Sequence, residues 1–262
     1  MICLVRQFEC HINACRSQNQ WIKGARAMNN ELQYGVIGNG RLAKHLLHWF
    51  GAMGLRVRNW SRAVEGRAVP VEVQLEAADV ILLAIKDDAI DDFILAHPSL
   101  QAKTLVHCSG ALVSARAVGV HLLQTFGDTL MSPADYDRIP FVFESDAPAM
   151  QDLFPGFPNP VARIKKSDKA YYHALCVLAC SGTQMLWQKI QTGFEFCGLD
   201  PTLAQPLLRQ SADAVLADPR LTLTGPLSRG DTKTITGHLL ALENDPYLQV
   251  YQAFEALQRV DS

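Results

Sequence analysis

The stretch YGVIGNGRLAKHLL, residues 34–47, is apolar and β-prone up to Ile37, takes a helical pattern from Arg41, and crowds Gly38 and Gly40 into the joint. Glycines at a strand-to-helix turn also arise for backbone reasons, so the pattern counts only with a strand before it and a helix after it. In the GxGxxA pattern of Gly38 to Ala43, the first glycine permits a tight turn and the second leaves the backbone open to a pyrophosphate. The small Ala43 lets the helix pack against the sheet. The helix then aims free N–H groups and the positive end of its dipole at phosphate oxygens. The motif therefore predicts a dinucleotide held by Gly38, Asn39, Gly40, Arg41 and Leu42.

The rest of the chain supplies the context that this motif needs. LRVRNW (55–60), VILLAI (80–85), TLVHCS (104–109), IPFVFE (139–144) and PVARI (160–164) are further runs of strand length. Continuous apolar strands separated by helices indicate a parallel sheet covered on both faces. The fold class is α/β, a Rossmann-type doubly wound parallel sheet followed by an all-α C-terminal domain. Beyond Lys166 no strand pattern appears. Ser167-Asp168 is suited to cap a long helix running to about Cys197, with Gly198 as its stop and Gly182 as a bend. Asp200-Pro201, Gly230-Asp231 and Asp245-Pro246 mark later helix starts.

Three segments result: residues 1–32 as an appended, poorly ordered extension, 33–165 as the nucleotide-binding domain, and 166–262 as a helical domain for substrate and dimerisation. Residues 1–30 show no sustained period and no secretory signal, and Met28 is a reasonable alternative start.

A net charge of -2 with scattered Lys and Arg gives no footprint for nucleic acid or an anionic membrane, so a small molecule is the expected partner. No apolar run is long enough to span a bilayer. Seven cysteines without a CxxC pair fit reduced, buried thiols in a cytoplasmic protein rather than disulfides or a metal centre, although Cys176 and Cys180 share a helix face.

About twenty residues past the glycine turn, an NAD-binding chain usually offers a carboxylate to the ribose. Here Asn59, Ser61 and Arg62 supply neutral donors and a cation, which suit a 2′-phosphate, hence NADP. Ala84, Ile85 and Lys86 leave a strand at the carboxyl edge of the sheet, where ligands bind, and so does His107. Asp87 and Asp88 are either paired carboxylates for acid–base work or, more simply, a helix cap. Ser109 and Gly110 in HCSGAL are placed for a substrate or nicotinamide contact, while no activating base makes Ser109 a nucleophile.

GNG, LAIKDDAI, VHCSGAL, GVHLLQTF, IPFVFESD, KAYYHALCVLA and TGPLSRGD, in this order, resemble the Rossmann-like proteins carrying the domain of unknown function 2520. The resemblance implies kinship with NADP-dependent oxidoreductases such as pyrroline-5-carboxylate reductase, 3-hydroxyisobutyrate dehydrogenase and the F420-dependent NADP reductase. It also implies a homodimer through the helical domain, and it names no substrate. Where the family carries an asparagine eight residues after the histidine, this chain has Ser181. Where it carries His-Pro-Leu, this chain has His121-Leu122-Leu123.

Reducing C=O or C=N needs a hydride, which the cofactor supplies, and a proton donor. His173 is the leading donor, because histidine titrates near neutrality, against a purely structural role within the helical domain. Lys169 either holds a substrate carboxylate, acts as the acid like the helix lysine of related 3-hydroxyacid dehydrogenases, or is solvated at the helix start. Arg229 in TGPLSRGD either braces its loop or binds an acidic substrate, and Asp231 caps the following helix. The expectation is an NADP-dependent oxidoreductase for a small carbonyl or imine compound, with its site between the two domains. The alternative is a dinucleotide-binding sensor or interaction protein that performs no turnover.

Overall fold

The computed structural model describes residues 32–62, 69–218 and 224–260. The expectations for residues 1–30, including Cys3, Cys10 and Cys15, lie outside the described residues.

The opening strand β1 (Gln33–Ile37) runs into helix α1 (Arg41–Ala52), as the glycine joint requires. On α1, Ala43, Leu46, Trp49 and Phe50 recur at helical spacing and are buried, so this face carries the helix onto the sheet. β2 (Arg56–Trp60), β3 (Val80–Leu83) and β4 (Thr104–His107) follow, with short helices α2 (Val71–Gln74) and α3 (Ile90–Ala96) among them. The sheet continues with β5 (Val118–Leu122), α4 (Pro133–Tyr136), β6 (Phe141–Glu144), α5 (Met150–Leu153) and β7 (Val161–Ile164).

The seven strands are ordered β2-β1-β3-β4-β5-β6-β7. The chain reverses its direction of growth beside β1, a topological switch point at which open α/β sheets bind ligands. Pairing is parallel except between β5 and β6, so the sheet is mixed rather than wholly parallel. Alternation along the strands separates two cores. Tyr34, Val36, Leu82, Val106, Val120 and Phe143 pack on the α1 face, while Ile37, Ile81, Leu83 and Leu105 pack on the other.

The expected strands are present, shorter by one to two residues at some ends. β5 was not foreseen, because VGVHL interrupts its apolar run with Gly119 and His121.

Past β7 the chain is helical. The long helix expected from Asp168 to about Cys197 appears as α6 (Lys169–Val177), a π-helical turn over Leu178–Gly182, and α7 (Thr183–Phe196). Gly182 sits in the wide turn, and Gly198 adopts a left-handed φ of 73° just past the end. Asp168 makes no capping hydrogen bond; it accepts one from the Ser167 hydroxyl instead. α8 (Gln205–Ala217), α9 (Pro226–Arg229), α10 (Thr232–Ala241) and α11 (Leu248–Val260) complete the described fold. Asp200 and Asp231 cap as expected, accepting from the backbone N–H of Thr202 and Thr234.

Two compact units meet at Thr183 and Gln184. α6 and the π-turn thus belong with the sheet, some eighteen residues past the boundary read from the sequence at Lys166. No described helix is long and apolar enough to cross a membrane.

Candidate functional site

Gly38 and Gly40 differ in why they are glycine. Gly38 has φ 131°, and a Cβ there would collide with the Ala84 carbonyl oxygen, so the turn itself excludes a side chain. Gly40 has φ -70°, open to any residue, and nothing lies within 4 Å of where its Cβ would stand. Its bareness leaves space above the start of α1. That helix has no side-chain cap and no acidic residue in its first turn. Free N–H groups, an unopposed dipole and an open approach make a place for an anion.

Beside this helix end lies a cleft of ≈ 730 Å³, lined by Gly38, Asn39, Ser61, Arg62, Ile85 and Asp88, among others. Exposed Arg41 pairs with Asp128 at 2.9 Å, and Leu42 packs against the core. Asn59 does not face the cleft as a donor. Its amide donates to the carbonyls of Val36 (2.9 Å) and Gly38 (2.8 Å), which ties the second strand to the glycine turn and uses both hydrogens. Ser61 and Arg62 remain in the cleft wall. Lys86 is exposed, and Ala84 limits the turn through its carbonyl.

At the next strand ends the structure rearranges the expected roles. Neither Asp87 nor Asp88 caps a helix through its side chain. Asp87 instead accepts the hydroxyl of Ser109, whose oxygen accepts the backbone N–H groups of Ala111 (3.2 Å) and Leu112 (2.9 Å). Ser109 is therefore a tie within its loop, nearly buried. Gly110 has a steric reason: a Cβ would strike the ring of His173, with the His121 ring also close.

His107 does not reach a cofactor. It is fully buried, and its Nε2 stands 4.0 Å from Glu144 Oε1, too far for a hydrogen bond. Burial and the neighbouring Lys169 push it down to about 4, against the pull of Glu144 and Asp87, so it is neutral.

Lys169 is neither solvated nor free for a substrate carboxylate: its Nζ is buried, 2.6 Å from Glu144 Oε1. The sheet register explains how the ammonium enters. His107, Gly119 and Glu144 are neighbours across β4, β5 and β6, and Gly119 leaves a gap between two side chains. A Cβ on Gly119 would meet both Glu144 and the Lys169 ammonium. The Gly119 N–H also points at Glu144 Oε2 at 3.4 Å, and Lys166 Nζ lies 3.6 Å from the same oxygen.

One turn further along α6 a second recess opens, ≈ 600 Å³ in volume. Period-two alternation puts Gly119 and His121 on one face of β5, while Lys169, Tyr172, His173, Cys176 and Cys180 recur on one face of the helix. His121 Nδ1 is 2.7 Å from the Tyr172 hydroxyl, and its ring stands edge-to-face to both Tyr172 and His173. Burial first, then His173 and Lys169, depress His121 to about 4. Burial raises the Tyr172 hydroxyl well above the usual tyrosine range. Thr125 Oγ1 lies 2.7 Å from Cys180 Sγ in the same wall. Cys176 and Cys180 are half-buried rather than buried, and Cys197 is exposed. Among the described residues no group of His, Cys, Asp or Glu is arranged to hold a metal ion.

The structure thus joins Ser109, Gly110, Lys169 and His173 in one neighbourhood, while Arg229 is an exposed residue of the second unit. Sequence reasoning missed His121, Tyr172, Glu144 and Gly119. The only signal was the alternation of Gly119 and His121 inside a run too short to declare itself a strand.

Residues 139–257 match the domain of unknown function DUF2520. The comparison with curated proteins gave no match. Among solved structures the chain is similar to BF3122 of Bacteroides fragilis, provisionally described as an NADP oxidoreductase. The TM-score is 0.69 at 22% identity, covering 88% of this chain and 98% of that one. It is also similar to the pyrroline carboxylate reductase of Plasmodium falciparum with NADP bound, at TM-score 0.54 and 14% identity over 87% and 96% of the two chains. A reductive aminase of Aspergillus terreus in complex with NADPH and ethyl levulinate gives 0.55 and 16% over 87% and 92%. Residues 139–257 are thus similar to the DUF2520 family, and the chain shares its fold with these solved structures.

Proposed function

We propose that the protein is an NADP-dependent oxidoreductase that transfers a hydride between NADP(H) and a small carbonyl or imine compound. The observation that carries this reading is the uncapped start of α1 beneath bare Gly40, opening on a cleft of ≈ 730 Å³ at the switch point of the sheet. The residues present fit a dinucleotide. The first-turn N–H groups of α1 would take the pyrophosphate, and Ser61 with Arg62 the 2′-phosphate, while Asn59 fixes the turn from behind. When bound, the reduced nicotinamide supplies the hydride.

The chain's own chemistry is the proton. Asp87 holds Ser109, Ser109 holds the Ala111–Leu112 turn, and Gly110 provides the flat seat on which the His173 ring rests. His173 borders the ≈ 600 Å³ recess and gives its proton to the substrate oxygen or nitrogen as negative charge develops there. Lys169 acts at one remove, since its charge is taken up by Glu144. The neighbouring structures named with NADP or NADPH support the coenzyme class.

The test is NADPH oxidation over a panel of ketones, oxoacids and imines, with NADH in parallel. Turnover by the wild type should fall about 10²-fold or more in His173→Ala, with NADPH affinity retained. Tight NADPH binding with no turnover on any substrate would favour a non-catalytic sensor. Absence of binding to either coenzyme would reject the reading.

A further inference from the structure

Asp128 is held beside the start of α1 by more than its own charge. Arg41 and His45 stand one turn apart on that helix and share a face. The buried His45 meets the Tyr136 hydroxyl at 2.7 Å through Nδ1 and the Gly127 carbonyl oxygen at 3.0 Å through Nε2, with the Phe126 ring edge-to-face against it. A carbonyl oxygen can only accept, so Nε2 carries a proton and donates to Gly127. The Tyr136 hydroxyl also accepts the Met131 N–H at 3.3 Å. One buried imidazole therefore fastens segment 127–131 at both ends, directly at Gly127 and through Tyr136 at Met131. Asp128 is the first residue past the tether.

That placement sets its carboxylate against Arg41 in two-pronged fashion, with Nε 2.9 Å from Oδ1 and Nη2 3.4 Å from Oδ2. The Arg41 guanidinium holds the Asp128 carboxyl below the usual carboxylate range, so it is an anion at neutral pH. The two side chains are 65% and 82% exposed, and an ion pair so open to water adds little to folding stability. Its position matters more. Helical side chains lean toward the N-terminus, which puts the Arg41 guanidinium and its partner beside the first-turn N–H groups of α1. We propose that Asp128 is a built-in competitor for the coenzyme pyrophosphate: it occupies Arg41 while the site is open, and a dinucleotide binds by drawing the guanidinium away beside a fixed carboxylate. Asp128 thereby lowers coenzyme affinity and speeds release. The inference rests on the proposed coenzyme site at α1 and concerns how tightly that site holds, not which reaction follows.

Calorimetry of NADPH on the full chain compares wild type with Asp128→Asn, a change of charge at an exposed position. The variant should lower Kd about fivefold and slow NADPH dissociation in stopped-flow measurements by a similar factor. The gain should fade as salt rises from about 0.02 M to about 0.5 M, because the repulsion it removes is screened. Arg41→Ala should weaken binding more when combined with Asp128→Asn than alone, since only then is the guanidinium uncommitted before the coenzyme arrives. Unchanged or weaker NADPH binding by Asp128→Asn, or a gain indifferent to salt, would overturn the inference. A second arm titrates inorganic pyrophosphate into the same proteins. Pyrophosphate binding that tightens in Asp128→Asn, with no NADPH binding, would leave the competitor standing and reject the reductase reading. Binding of neither probe to either protein would overturn both.

Discussion

A glycine can be needed for its backbone or for the room it leaves, and this chain holds one of each two residues apart. Gly38→Ala forces a Cβ into the Ala84 carbonyl at a positive φ and should cost about 1–3 kcal/mol of stability, read by urea unfolding. Gly40→Ala adds a methyl group where no atom lies within 4 Å, at an ordinary φ. Its stability should stay within about 0.5 kcal/mol of wild type while the Kd for NADPH, measured by calorimetry, rises about tenfold or more. Equal binding by Gly40→Ala would remove the pyrophosphate from this end of α1. Both glycines were legible in the sequence as a pattern, yet only the coordinates separate their reasons. The same holds for Asn59, whose side chain type suggested a donor to a 2′-phosphate. Its two hydrogens go to carbonyls of β1 and the turn, because a strand end beside a tight turn leaves acceptors that need donors.

At the level of strands and helices, the contact between α6 and the β4–β6 edge turns on a buried ion pair. Glu144→Gln leaves the Lys169 ammonium buried without its carboxylate and should destabilise by about 3–5 kcal/mol in urea unfolding. The double variant Glu144→Leu with Lys169→Met should recover most of that loss, since an apolar pair of similar size needs no charge compensation. A double variant as unstable as the single one would mean that the pair supplies more than mutual neutralisation. Helix α6 and strand β6 were visible as patterns, whereas their partnership was not. Spacing along a chain shows which residues share a face but not which distant face they meet. Lys169 at a helix start therefore read as a carboxylate holder, an acid or a solvated residue, and Glu144 as one more strand residue. The missing datum was β5, whose Gly119 and His121 weaken the apolar alternation at the two places where α6 docks.

For the molecule as a whole, the second unit has little interior of its own. Among its described residues only Ala204 and Ile235 are buried, while Phe196 is 92% exposed and Leu216 80%. A domain of this size cannot offset its conformational entropy with so small a core. We propose that a second copy of the chain covers these helices, in keeping with the dimer that the family resemblance implied. Sedimentation equilibrium should then give the mass of two chains, and Leu207→Arg with Val215→Arg on α8 should shift it toward one. A wild-type monomer at micromolar concentration would reject the pairing. The helical region and six of the seven strands could be read from periodicity, but not the order of the strands in the sheet. Its one antiparallel pairing could not, because periodicity carries no direction.

The vacancy at Gly119 has a consequence for how the sheet assembles. Were β5 to slide by one position between its neighbours, Val118 or Val120 would arrive where the lysine nitrogen now stands, and the carboxylate would be stranded opposite a hydrocarbon. The short central strand, held to β4 by two registered residues, thus has an alignment check built from a part of the chain made fifty residues later. Misthreaded sheets are refused by shape and by charge together.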